Sequence, residues 1–117
     1  MKALPGLRWI LPRLANLLVH GRSMEPTLVA GDVLVVAHGL RPRRGGLAVI
    51  RLPDGTVAVK RATSHGPDGW WVERDNPAMG VDSWSVGAIP ESHVLARVLW
   101  RVPRCGRLVG RDDAPRR

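Results

Sequence analysis

Two residues, Ser23 and Lys60, have the chemical types needed for nucleophilic catalysis by a serine. A serine hydroxyl is a weak nucleophile at its own pKa and needs a positioned base to accept its proton. A lysine can be that base once burial has lowered its pKa from about 10.4 towards neutrality. The chain uses arginine at almost every cationic position and has only two lysines, Lys2 and Lys60. Because arginine keeps its proton in proteins and lysine can release it, the interior Lys60 indicates a need for lysine chemistry.

Short motifs surround both residues and follow one another along the chain. They are Gly-Arg-Ser-Met-Glu-Pro-Thr-Leu at 21–28, Gly-Asp at 31–32, Lys-Arg at 60–61, Asp-Asn at 75–76 and Asp-Ser-Trp-Ser-Val-Gly at 82–87. This ordered set, within about residues 20–101, resembles the signal peptidase I family of serine endopeptidases. The short length, the segment Trp-Trp-Val-Glu-Arg-Asp-Asn-Pro and the absence of a membrane anchor are most similar to the small nickel-type superoxide dismutase maturation proteases.

The resemblance implies a Ser/Lys dyad, with Ser23 as the nucleophile and Lys60 as the general base. The supporting positions that it implies are Gly21, Met24, Pro26, Asp75, Asn76, Asp82 and Ser83. Gly21 lies two residues before the nucleophile and offers no side-chain hydroxyl to an oxyanion hole. We therefore expect the backbone N–H of Ser23 to be the dominant donor there.

The chain departs from the family pattern in the segment that would pack against the dyad. Gly80 replaces a serine that often supports the lysine, and we expect Ser83 or water to supply that hydroxyl. Trp84 replaces an arginine that often follows the Asp-Ser pair. Arg74 replaces the glycine usually found before Asp-Asn.

Length and composition indicate one small domain of mainly β structure, because 117 residues rich in Gly and Pro favour short strands and tight turns. Strands are predicted at residues 32–37, 47–52, 56–61, 70–73 and 94–102, with a hairpin turn at 53–55 and a tight turn at 25–27. Alternation along residues 56–61 places Lys60 on the same face as Thr56 and Ala58. These small neighbours leave room for another segment to exclude water from the lysine.

The two ends of the chain are treated as separate from the predicted peptidase domain at residues 20–103. Residues 1–19 form an amphipathic segment, predicted as a short N-terminal helix that starts or kinks at Pro12 and packs on the sheet. The segment is too short and too charged to span a bilayer, which requires about 20 apolar residues. Contact with a membrane surface through residues 1–20 is the alternative. Residues 104–117 are predicted to be a flexible basic tail, and the expected location is cytoplasmic.

Several function classes are disfavoured by composition. The single cysteine, Cys105, excludes an intrachain disulfide. The histidines show no metal-ligand spacing, so no metal or cofactor is predicted. They are His20, His38, His65 and His93. The net charge of +8 suits an anionic partner, such as nucleic acid, a lipid surface or an acidic propeptide. No aromatic residues alternate with the terminal arginines, and nucleic-acid binding is therefore not predicted.

The predicted reaction is cleavage of an extended N-terminal leader or propeptide from a precursor protein. The resemblance implies the precursor of a nickel superoxide dismutase as that substrate. A general membrane-associated signal peptidase is the nearest alternative. An SOS-repressor-type autoprotease also has a Ser/Lys dyad, but about 20 residues before the serine motif are too few for its usual DNA-binding domain. A catalytically inactive peptide-binding module is the alternative from outside the enzymes.

Overall fold

Short apolar runs between turns form six antiparallel strands in the computed structural model, which describes residues 13–103. The strands are β1 (Arg13–Leu18), β2 (Val33–His38), β3 (Leu47–Arg51), β4 (Val57–Gly66), β5 (Gly69–Glu73) and β6 (Val94–Val102). A short helix, α1 (Ser83–Val86), and a 3₁₀ turn (Glu91–His93) lie between β5 and β6. The prediction of a mainly β fold is therefore confirmed.

The six strands form one sheet in the order β1-β2-β6-β3-β4-β5. The last strand, β6, lies between β2 and β3 and joins the two halves of the sheet. The predicted hairpin is present as β3 and β4, in which Ala48 is opposite Lys60. The Asp54 carboxylate accepts a hydrogen bond from the Thr56 N–H at 2.9 Å, as expected for an aspartate in a tight turn.

The apolar side chains form two clusters, and β3 contributes to both. The first cluster contains Val19, Met24, Leu28, Leu34, Val36, Val49 and Ala96. The second contains Ala48, Ile50, Leu52, Ala62, Trp70, Val72 and Ile89. Since successive side chains of a strand point to opposite faces, Val49 joins one cluster while Ala48 and Ile50 join the other. This explains why β3 is apolar at consecutive positions.

The predicted strand positions differ from the observed ones mainly at their ends. Observed β2 begins and ends one residue later than predicted, and β6 has the predicted bounds. The largest difference is β4, which continues to Gly66 instead of stopping at Arg61. The added residues pair with β5, where Gly66 is opposite Gly69. Pairing with a second neighbour therefore lengthens the strand.

The predicted N-terminal helix is wrong for residues 13–18, which form β1 at the edge of the sheet. β1 pairs antiparallel with β2, with Leu14 opposite Ala37 and Leu18 opposite Val33. Backbone pairing with β2 decides the conformation, because it satisfies N–H and C=O groups that a short helix would leave unpaired at its ends. The rest of the predicted helix, at residues 1–12, and the predicted tail at 104–117 lie outside the described residues. Within residues 13–103, no helix is long and apolar enough to cross a membrane.

Candidate active site

Ser23 lies in the turn segment that connects β1 to β2. The next residue, Met24, is buried in the first apolar cluster together with Leu28. A hydrogen bond from the Leu28 N–H to the Met24 carbonyl, at 2.9 Å, closes one helical turn between them. Gly21 has a φ of +77°, in the left-handed region that glycine adopts readily. Buried anchors therefore hold Ser23 at the edge of the core, and Gly21 allows the sharp change of chain direction before it.

Lys60 lies on β4 and is almost completely buried, with 3% of its surface exposed. Its Nζ donates a hydrogen bond to the Ser23 Oγ at 2.9 Å. Burial lowers the pKa of Lys60 below its usual value, and Arg74 acts in the same direction, while the Asp82 carboxylate opposes the shift. The structure thus brings together a serine hydroxyl and a lysine whose neutral form is favoured by its surroundings.

Gly80 closes the site on the side opposite the core. Its φ is +95°, and a Cβ built on it would lie 2.4 Å from the Ser23 Cβ and 3.5 Å from the Lys60 Nζ. Separations below 3 Å are not tolerated between a Cβ and another carbon, so no side chain fits at this position without movement of the backbone. The resemblance implies a supporting serine at this position. In this chain Gly80 has no side chain, and its backbone lies close to Ser23 and Lys60.

Asn76 connects the segment containing Gly80 to the turn containing Ser23. Its backbone N–H donates to the Ser23 carbonyl at 2.8 Å, and its side-chain Nδ2 donates to the Arg22 carbonyl at 2.9 Å. The Asn76 Oδ1 accepts from the Ala78 N–H at 3.0 Å, which forms the turn expected for an Asx residue. Asn76 therefore positions the backbone of Ser23 and of the residue before it.

Asp75 makes a second connection between the same two segments. It accepts hydrogen bonds from Arg61 Nε at 3.1 Å, from Arg61 Nη2 at 2.6 Å and from Thr27 Oγ1 at 2.6 Å. The Arg61 guanidinium is the main cause of the lowered pKa of Asp75. The Asp75 backbone N–H also donates to the Met24 Sδ at 3.3 Å. Asp75 thus joins β4, the serine turn and the loop after β5.

Asp82 is buried and caps the N-terminus of α1 by accepting from the Trp84 N–H at 3.1 Å. Its other oxygen accepts from the Arg74 N–H at 3.0 Å and lies 3.2 Å from Arg74 Nη1. The Ser83 Oγ accepts from the Val72 N–H at 2.9 Å and so fixes α1 to β5. No hydrogen bond joins Ser83 to Lys60 within residues 13–103. The expected replacement of the missing hydroxyl by Ser83 is therefore not seen.

Pro26 and Trp84 are both largely exposed. The Glu25–Pro26 peptide bond is cis and lies in the predicted tight turn. The Trp84 indole packs edge-on against Trp71 with ring centroids 5.2 Å apart. Its Nε1 donates to the Glu73 carboxylate at 3.1 Å. The Trp84 side chain therefore contacts β5, whereas its backbone N–H contacts Asp82.

A cavity of about 370 Å³ opens beside Ser23, between the end of β1 and the start of β4. Most of its lining is apolar and includes Leu17, Val19, Met24, Leu28, Val57 and Val59. Such a lining suits apolar side chains of a bound peptide rather than charged ones. In the described part of the chain, no group of His, Cys, Asp or Glu side chains is placed to hold a metal ion.

Comparison with known families agrees with this geometry. A family model described as Peptidase S24-like matches residues 10–99. The chain belongs to the Peptidase S24-like family. Membership in this family supports a hydrolase of the serine-peptidase type and is consistent with the broader group of serine peptidases to which the motifs pointed. No curated protein matches the chain.

Proposed function

We propose that the protein is a serine endopeptidase with a Ser/Lys dyad, in which Ser23 is the nucleophile and Lys60 is the general base. The observation that carries this proposal is the 2.9 Å hydrogen bond between the Ser23 hydroxyl and the amine of a buried lysine. A nucleophile needs a base within about 2.6–3.2 Å, and burial favours the neutral amine that can accept a proton. The S24-like family match supports the same class of reaction.

The proposed reaction is acyl transfer in two steps. Neutral Lys60 accepts the Ser23 proton as Oγ attacks the scissile carbonyl, and the resulting ammonium then protonates the leaving amine. A water molecule next attacks the acyl-enzyme, with Lys60 again accepting its proton. Lys60 then returns this proton to the Ser23 Oγ as the ester bond breaks, and the carboxylic acid product leaves. The Ser23 backbone N–H is the proposed donor to the oxyanion, a contribution that is typically worth about 3 kcal/mol of transition-state stabilisation.

The proposed substrate is an extended N-terminal leader or propeptide of a precursor protein. The apolar cavity beside Ser23 supports a substrate with apolar side chains near the scissile bond. Its open side lies next to the ends of β1 and β4, where an extended peptide can add to strand edges. Within this proposal, the precursor of a nickel superoxide dismutase is the specific substrate, as the resemblance implies. The proposal places the enzyme in the cytoplasm, with a peripheral membrane contact through residues 1–20 and no nucleic-acid partner.

Incubation of the purified protein with candidate precursors tests the proposal, with the new N-terminus mapped by mass spectrometry. We expect one internal cleavage by the wild type and a loss of at least about 10³-fold in rate for Ser23→Ala. Unfolding midpoints should differ little, since the substitution removes one oxygen from a turn. Cleavage by Ser23→Ala within tenfold of wild type contradicts the assignment. Binding of the precursor without cleavage by the wild type indicates an inactive peptide-binding module, and cleavage only in the presence of liposomes indicates a membrane-associated signal peptidase.

A further inference from the structure

Arg74, the first residue after β5, makes an unusual number of contacts with the loop that follows it. Its Nε donates to the Asn76 carbonyl at 3.1 Å, and its Nη2 donates to the Pro77 carbonyl at 3.0 Å. Its Nη1 lies 3.2 Å from the Asp82 carboxylate, which also accepts from the Arg74 backbone N–H. A planar guanidinium can satisfy acceptors in several directions at once. The side chain therefore links both ends of the segment 76–82.

The segment that Arg74 closes is the one that covers the Ser23–Lys60 pair. Asn76, at one end, is hydrogen-bonded to the Ser23 carbonyl. Gly80, near the other end, lies against the Ser23 side chain and near the Lys60 amine. A change in the shape of this segment would move Gly80 away from the pair, and water would then reach Lys60.

Arg74 also affects the electrostatic surroundings of Lys60. The buried Asp82 carboxylate favours the protonated form of Lys60, and Arg74 is the cation that opposes it. The nearby acids of β5 and the following loop have other partners, because Glu73 accepts from the Trp84 indole and Asp75 pairs with Arg61. Arg74 thus forms an ion pair with the carboxylate that raises the pKa of Lys60 and so opposes the effect of burial.

We propose that Arg74 is a positioning residue of the Ser23–Lys60 pair, which holds the segment 76–82 closed over both side chains and neutralises Asp82. Its link to catalysis depends on the proposed peptidase function, whereas its effect on Lys60 does not. Arg74 stands where the resemblance implies a glycine, so the ion pair with Asp82 is made by a side chain that the family pattern does not contain.

The presence of only two lysines allows a direct test by NMR. Protein labelled with ¹³C-lysine gives two side-chain signals, and Lys60→Arg assigns them. Titration is compared among wild type, Arg74→Gln, Arg74→Lys and Arg44→Gln. Arg44 is exposed in the loop before β3 and, within residues 13–103, makes none of the hydrogen bonds or ion pairs that Arg74 makes with the segment 76–82. Its replacement therefore removes an equal charge without breaking those contacts. The rate of peptide cleavage against pH is recorded for the same proteins.

We expect Arg74→Gln to raise the titration midpoint of Lys60 by about 0.5–1 pH unit, because solvent and an unopposed carboxylate both favour the ammonium. The limb of the cleavage profile in which the rate rises with pH should move to higher pH by the same amount. Arg74→Lys, which keeps the charge but not the fork of donors, should give a smaller shift, and Arg44→Gln should give almost none.

An unchanged Lys60 midpoint in Arg74→Gln, or an equal shift in Arg44→Gln, overturns the proposal. If Arg74→Gln does not fold, the titration of Lys60 in Arg74→Lys becomes the test. A Lys60 midpoint in Arg74→Lys equal to that of wild type then contradicts the proposal. Failure of the wild type to cleave any precursor overturns the proposed function alone, since the lysine titration does not require activity.

Discussion

At the scale of single residues, the site depends on a conflict between burial and charge at Lys60. An ammonium group removed from water is costly, and the pKa of Lys60 falls as a result. Lys60 is buried, with Ala48 opposite it on β3 and the backbone of Gly80 near its amine. Burial of this one residue thus shifts its pKa in the direction that the proposed role as general base requires.

Substitution of Lys60 separates its proposed chemistry from its charge. Lys60→Arg keeps the positive charge but cannot release a proton, so cleavage should fall by at least about 10³-fold. Lys60→Met should be equally inactive, yet its free energy of unfolding should equal or exceed that of wild type, because no charge has to be buried. Measurements of kcat/KM on a short peptide and of chemical denaturation check both expectations. A Lys60→Arg enzyme that cleaves within tenfold of wild type contradicts the role of Lys60 as base.

The lowered pKa of Lys60 also predicts how rate and stability respond to pH. Cleavage should rise with pH through the folded-state pKa, since only the neutral amine accepts a proton. Between that pKa and the unfolded value of about 10.4, the unfolded chain binds the extra proton, so stability rises with pH by at most about 1.4 kcal/mol per unit. Below the folded pKa this contribution no longer changes. Lys60→Met, followed by denaturation at several pH values, should lack that slope, and an identical slope in both proteins contradicts the prediction.

Gly80 provides a test of close approach with a matched control elsewhere in the chain. Gly80→Ala places a Cβ 2.4 Å from the Ser23 Cβ at a φ of +95°, whereas Gly55→Ala at a φ of +93° meets nothing within 4 Å. Both variants incur the cost of a left-handed alanine, about 1 kcal/mol. Only Gly80→Ala should also lose at least about tenfold in kcat/KM, because the Ser23 side chain must move. Equal activity in the two variants would show that this contact does not position the nucleophile.

At the scale of elements, the strands that form the core were predictable from sequence because their apolar patterns are local. Continuous apolar runs predicted β3 and β6, and the turn signal at Asp54 predicted the hairpin. Residues 13–18 were predicted as part of a short amphipathic helix that starts or kinks at Pro12. In the strand, Leu14 and Leu18 are exposed on the same side, at 59% and 49%. The partner that makes this segment a strand is β2, which is distant in sequence and absent from the local pattern.

The same limit applies to the site. The motifs named Ser23 and Lys60 as a pair, although 37 residues separate them. They did not reveal that the backbone of Gly80 covers the pair. A glycine in place of a serine shows that a hydroxyl is missing, but it does not show which atoms take its place. Nor did they show Arg74 on Asp82, since an arginine in place of a glycine does not name its partner. The residues that match the family motifs could therefore be predicted from sequence. The contacts made where the chain departs from those motifs could not.

Amide hydrogen exchange distinguishes a strand from a helix at residues 13–18. An edge strand has a hydrogen-bonded neighbour on one side only, so alternate amides of β1 should be protected and the others should exchange rapidly. The strand β6 lies between β2 and β3, and Ala96 and Arg97, which pair with both neighbours, serve as the internal control with protection expected at both amides. Residue-resolved NMR exchange provides the measurement. Protection at four or more consecutive amides between 13 and 18 would indicate a helix and contradict the observed pairing.

At the scale of the whole molecule, the net charge of +8 should act on association rather than on chemistry. A cationic protein attracts an anionic peptide over roughly the Debye length, which is about 10 Å at 0.1 M salt. Dissolved ions have little effect on the Ser23–Lys60 pair, because Lys60 is buried.

For an acidic leader peptide, kcat/KM should therefore fall by roughly tenfold as salt rises from about 20 to 500 mM, while kcat stays nearly constant. A leader of the same length without carboxylates should lose less than about twofold in kcat/KM over that range, because steering requires opposite charges. Equal salt dependence for the two leaders would show that the positive charge does not select the substrate, and a parallel fall in kcat would place the salt effect on the catalytic step.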